Sequence, residues 1–127
     1  MLSKWYAYFL KLDNQFYYVG ISRHPAERIY CHKQKEGSKL TKKYDIEKVM
    51  AVWEIGIMNA QDALQVEEKI TQGMTSVYGD KVRGASRSQE DYGYTSHGLG
   101  ARYVQQFKNV TQQVLAELTK IEARGWA

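Results

Sequence analysis

Two aromatic runs, KWYAYFLK at residues 4–11 and FYYVGIS at 16–22, are separated only by Leu12 and the polar triplet Asp13-Asn14-Gln15. Strand-favouring residues on both sides of so short a break leave little but an antiparallel hairpin. Its register decides which side chains meet. With Leu12 opposite Phe16, Tyr8 stands opposite Gly20 and Tyr18 opposite Leu10. Tyr8 and Tyr18 then share a face, whereas a slip of one residue would put them on opposite faces. Gly20 is the odd member. A glycine inside a strand costs entropy and marks a place where another group comes close.

The rest of the chain hangs on this hairpin. Pro25 suits the first turn of a helix, and PAERIYCHKQK has helix-compatible composition. GSKLTKKYD reads as a polar, basic loop, and EKVMAVWEIGI at 47–57 as a third strand. Asn59 can cap a helix over 60–74, with Asp62 in its first turn complementing the helix dipole. Residues 79–99, with Gly79, Gly84, Gly93, Gly98 and several serines, read as a loop long enough to imply either function or disorder. A last helix is expected over 101–123. Its stripe of Tyr103, Phe107, Val110, Val114, Leu118 and Ile121 suits either core packing or a homodimer contact. The order β-β-α-β-α, loop, α predicts one small α/β domain: a three-stranded antiparallel sheet flanked by helices, with an extra C-terminal helix.

At 127 residues the chain suffices for one core. The net charge of +4 says less than its distribution. Eight lysines and arginines between Arg23 and Lys48 face only four acids, a pattern compatible with a polyanion or with a solvated basic face. A single cysteine, Cys31, excludes an intramolecular disulfide and a Cys-rich zinc site. No stretch resembles a secretory leader or a membrane span, so the expected setting is cytoplasmic, with no membrane partner.

Three features point at one site. The first is the tyrosine pair beside Gly20. The second is Arg28, His32 and Lys35, which lie three and four apart on one helix face and could hold a phosphate. The third is Glu67. On a helical wheel it falls in the middle of the side formed by Ala60, Ala63, Leu64, Ile70 and Met74, while Glu68 falls toward the edge. A carboxylate so placed needs a cation, either an arginine or a hard metal ion such as Mg²⁺.

In order and spacing these residues resemble the GIY-YIG nuclease superfamily. YAY at 6–8 stands where that family has its GIY triplet, and YVG at 18–20 stands for YIG. PAERIYCH resembles its arginine helix, with Arg28 and His32, and ALQVEEKI its glutamate helix, with Glu67 favoured over Glu68. The resemblance covers about residues 4–86. Tyr6 and Ala7 replace the usual glycine and isoleucine, as they do in small bacterial-type members. Many members carry an asparagine after the glutamate helix. Here none occurs between Asn59 and Asn109, and Arg83 or Ser86 in VRGASRS is expected in its place.

The resemblance implies a GIY-YIG-type endonuclease that hydrolyses phosphodiester bonds, most readily in DNA, with one Mg²⁺ or Mn²⁺ on Glu67. Arg28 would bind the phosphate. Tyr8 or Tyr18 would position or deprotonate the attacking water, helped by Arg28, His32 or Lys43, and His32 could itself be the base or a relay. Gly20, Lys35, Lys42, Lys43, Arg83 and Arg87 are candidate nucleic-acid contacts. Tyr92, Tyr94 and His97 of the 79–99 loop are candidates for stacking or substrate contact. Two other readings stand behind this one: a catalytically weak or inactive nucleic-acid-binding module of the same fold, and an interaction or inhibitor protein that uses its C-terminal helix.

Overall fold

The computed structural model describes residues 1–84 and 102–125. The hairpin comes first, as β1 (Ser3–Leu12) and β2 (Tyr17–Ser22). Its register pairs Tyr8 with Gly20 and Leu10 with Tyr18, as the three-residue turn requires. The turn is closed by Leu12 N–H donating to the Phe16 carbonyl at 2.8 Å. Helix α1 (Pro25–Lys33) follows at once, with Pro25 in its first turn, Glu27 beside it, and His32 and Lys33 at the far end.

The segment expected to be a basic loop contains a short helix, α2 (Lys39–Lys43). Ser38 makes it possible: its Oγ accepts from Thr41 N–H at 3.2 Å and caps the first turn. Strand β3 (Ile46–Met58) then runs antiparallel to β1. Helix α3 (Ala60–Tyr78) is capped by Asn59, whose side chain accepts from Asp62 N–H at 2.8 Å. It continues one turn beyond residue 74 and ends at Gly79.

The sheet is larger than the sequence suggests. A 3-10 turn at Gly79–Lys81 leads into β4 (Val82–Gly84), which pairs parallel to β2. Farther on, β5 (Lys108–Asn109) pairs antiparallel to β3. The result is a five-stranded mixed sheet, ordered β4-β2-β1-β3-β5, rather than the expected three-stranded antiparallel one. Strands of three and two residues carry no readable alternation, so neither gave a periodic signal.

The last helix, α4 (Thr111–Arg124), also starts later than expected. Asn109 Oδ1 accepts from the Thr111 backbone N–H at 3.0 Å, and Thr111 Oγ1 receives a hydrogen bond from Val52 N–H at 2.9 Å. The apolar stripe is therefore split. Val110, Val114, Leu118 and Ile121 join one core with Tyr8, Leu10, Leu12, Tyr18, Ala26, Ile29 and Val52. Tyr103 and Phe107 pack on the other core, with Ala7, Phe9, Val19, Trp53, Ile55 and α3. The chain crosses from one side of the sheet to the other through β5. Helices α1 and α4 thus cover one face and α3 the other, an α/β/α sandwich.

Because the stripe of α4 is used up against α1 and β3, it is not free to carry the homodimer, or the partner, that its sequence allowed. Leu118→Ala is expected to cost about 2–4 kcal/mol in chemical denaturation. An exposed interface residue would give almost no change.

Candidate active site

The two tyrosines occupy one face of the hairpin because their register places them there. Both are buried, at 1% and 3% exposure, with ring centroids 6.4 Å apart. The Tyr8 ring fills the space above Gly20, where any Cβ would collide with its phenol end. Glycine is thus what lets Tyr8 lie flat across the hairpin.

From the tyrosines the site grows into α1. Tyr8 Oη lies 2.8 Å from His32 Nε2, a fully buried hydrogen bond between β1 and α1. His32 also packs against Tyr18, with ring centroids 5.3 Å apart in an edge contact. One turn earlier on the same face, the exposed Arg28 is close enough for its charge to act on the Tyr8 hydroxyl. The other ring nitrogen, His32 Nδ1, is 2.8 Å from Thr41 Oγ1 in α2. Ser38, the cap of that helix, lies near the Tyr18 hydroxyl and works against the rise in its pKa.

Glu67 comes from the opposite face of the sheet. It is fully buried in α3 while Glu68 is half-buried, as the helical wheel predicts. Its carboxylate acts electrostatically on both Tyr8 and Tyr18. Tyr8, Tyr18, Arg28, His32 and Glu67 are therefore one interacting group, drawn from β1, β2, α1 and α3.

Burial controls the protonation of this group. It pushes the Tyr8 phenol well above its usual range, assisted by Tyr18 and Glu67 and opposed by Arg28. It raises Tyr18 as well, against the opposing effect of Ser38. His32 is lowered to about 4, first by burial and then by the neighbouring Arg28 charge, so its ring is neutral at physiological pH.

The remaining candidates fall outside this cluster. Lys35 is a strut: it ion-pairs with Asp45 and donates to the Thr41 carbonyl at 3.4 Å, fastening α2. Lys42 and Lys43 are exposed in the last turn of α2. Arg83, on β4, lies over the Phe16 ring at 4.9 Å and donates to the Val82 carbonyl. Ser86, Arg87, Tyr92, Tyr94 and His97 lie outside the described residues. Sequence reasoning missed Gly37, Ser38 and Thr41. Their one available signal was the Ser-x-x-Thr spacing of a capped first turn, hidden in a lysine-rich stretch read as loop.

Among the described residues, no three His, Cys, Asp or Glu side chains converge as a metal cluster. The group holds one fully buried carboxylate, Glu67, whose charge reaches both phenols. A carboxylate oxygen is the donor type that a hard ion such as Mg²⁺ takes, alongside waters and phosphate oxygens.

Comparison with known proteins gives one result. The GIY-YIG catalytic domain family matches residues 4–76, more than half of the chain. No curated protein and no solved structure matches it. The matched stretch holds all five clustered residues and ends within α3, so β4, β5 and α4 lie beyond it.

The depressed His32 pKa has a stability consequence with a definite sign. Between pH 6.5 and about 4 the unfolded chain binds a proton at His32 that the folded chain refuses. That contribution to stability is complete above pH 6.5 and is lost as pH falls toward 4. It amounts to on the order of 3 kcal/mol. Urea denaturation at pH 7 and pH 4.5 should therefore show a steeper acid loss in the wild type than in His32→Gln. Equal losses would mean that His32 titrates normally.

Proposed function

The chain belongs to the GIY-YIG nuclease superfamily, and from that premise we propose that it is a metal-dependent endonuclease that hydrolyses phosphodiester bonds in DNA. The observation that carries the reading is the convergence of Tyr8, Tyr18, Arg28, His32 and Glu67 from four separate elements. Packing alone gives no reason to bury a glutamate, a histidine and two tyrosines together, since each polar group costs desolvation.

Glu67 is the residue that would hold the ion, Mg²⁺ or Mn²⁺; when bound, it would polarise the scissile phosphate and offset negative charge beside the phenols. Arg28 is the exposed cation of the group. It can take a phosphate oxygen with one arm of its fork while it remains beside Tyr8, and its charge opposes the charge that grows in the transition state. Lys42 and Lys43 extend this positive surface along α2 toward neighbouring phosphates.

Tyr8 is the group that takes the proton from the attacking water. A phenol with a raised pKa cannot do so as a standing anion. It can do so by handing its own proton to His32, 2.8 Å away, as the water's proton arrives. His32 is neutral at working pH and so has a lone pair to receive it, while burial and the Arg28 charge make the resulting imidazolium short-lived. Tyr18, buried against the same imidazole, limits where Tyr8 and the water can sit.

The test is a plasmid-nicking assay. Wild-type protein should nick supercoiled DNA with Mg²⁺ or Mn²⁺ and stop with EDTA. Glu67→Ala and Arg28→Ala should each lower the rate at least 10²-fold while circular dichroism stays unchanged. Nicking unaffected by EDTA, or a folded Glu67→Ala with full activity, would reject the mechanism. Salt-sensitive binding without nicking under any metal would leave a nucleic-acid-binding module.

A further inference from the structure

Proton transfer from Tyr8 requires a lone pair on His32 Nε2, and an imidazole can carry its single hydrogen on either nitrogen. We propose that Thr41 is a positioning residue that fixes this choice, holding His32 as the Nδ1–H tautomer with Nε2 open to Tyr8. The inference builds on the catalytic reading above but concerns a property of the resting protein.

Each hydroxyl in this chain has one hydrogen to give. Thr41 Oγ1 sits 2.8 Å from His32 Nδ1, 3.2 Å from the Ser38 carbonyl oxygen and 3.1 Å from Ser38 Oγ. Ser38 O, which also accepts from Lys42 N–H, can only accept, and Thr41 is its hydroxyl donor, while Ser38 Oγ has a hydrogen of its own to give to Thr41 Oγ1. The Thr41 oxygen is left as an acceptor toward His32, and Nδ1 must supply the hydrogen. The other end fits the same arrangement. Tyr8 Oη lies 2.8 Å from Nε2, and its one hydrogen can point there once Nε2 carries none. Every contact is satisfied by one directed chain, from Tyr8 to His32 to Thr41 to the Ser38 carbonyl.

The surroundings are built to hold that chain. Thr41 is completely buried although it lies in a five-residue helix whose lysines are exposed. Its backbone is fixed by the Ser38 cap and by Lys35, which donates to its carbonyl. Gly37 lies against the His32 ring so closely that a Cβ there would overlap Nδ1. Only a glycine lets the chain turn across the imidazole and deliver Thr41 to that nitrogen. His32 is thus gripped on both nitrogens, by Tyr8 on Nε2 and by Thr41 on Nδ1.

The experiment is long-range ¹H–¹⁵N spectroscopy of uniformly labelled protein, with His32 signals assigned by their loss in His32→Gln. The wild type should show a protonated, pyrrole-type Nδ1 and an unprotonated, pyridine-type Nε2. Thr41→Ser, which keeps the hydroxyl, should preserve that pattern. Thr41→Val, which keeps the shape and removes the acceptor, should move the hydrogen to Nε2 or mix the tautomers. In the nicking assay Thr41→Val should lower the maximal rate about tenfold without changing DNA affinity, and Thr41→Ser should restore it. A wild-type spectrum with hydrogen on Nε2, or a folded Thr41→Val with the wild-type tautomer, overturns the proposal. If Thr41→Val does not fold, the wild-type and Thr41→Ser spectra still decide it. If the wild type never cleaves DNA, the catalytic reading fails while the spectra judge the tautomer alone.

Discussion

The hydrogen bond between the Tyr8 hydroxyl and the His32 ring is the contact around which the local structure is arranged. It joins a strand to a helix inside a core, where a polar group without a partner would be costly. Burying it requires room at both ends. Gly20 provides room on the hairpin, beneath the Tyr8 ring, and Gly37 provides it in the α1–α2 connection, against the imidazole. A side chain at either position would push one ring away from the other. Both glycines are thus explained by the same bond, although one sits in a strand and the other in a turn 17 positions later.

The sheet then separates two kinds of work. Along β1, Tyr8 and Leu10 face α1 and α4, while Ala7 and Phe9 face α3. Arg28 and His32 act from the first side. Glu67 acts from the second, yet its charge is felt by both tyrosines. Helix α3 packs against β2 and β4, which brings its carboxylate to the strand that carries Tyr18.

What the sequence disclosed follows from how strongly each feature is tied to local chemistry. The hairpin register was readable because three turn residues and two alternating runs admit one pairing that keeps Tyr8 and Tyr18 together. Glu67 stood out because a charge in an apolar stripe violates its helix's own pattern. By contrast, β4 and β5 exist only through pairing with strands already in place, and two or three residues cannot announce that. Helix α2 was masked by its lysines, and with it Thr41, whose meaning depends on a histidine nine positions earlier. The stripe of the last helix was real at residues 110–121 but falsely extended to Tyr103 and Phe107. Those rings keep helical spacing by coincidence and pack on the far side of the sheet.

The last helix also has a bearing on the site. Helix α1 carries Arg28 and His32, yet it is only nine residues long and has no side-chain cap at His24. A helix of that length is marginal by itself and takes its stability from packing. Its buried Ile29 lies in one cluster with Val114, Leu118 and Ile121 of α4, and Lys33 ion-pairs with Glu122. The ion pair is exposed and adds little, so the apolar contact does most of the holding. Helix α4 lies beyond the residues matched by the family. The orientation of Arg28 and His32 in this chain therefore depends on a segment outside the shared domain. The geometry of the site, and not just the stability of the fold, is set in part by α4.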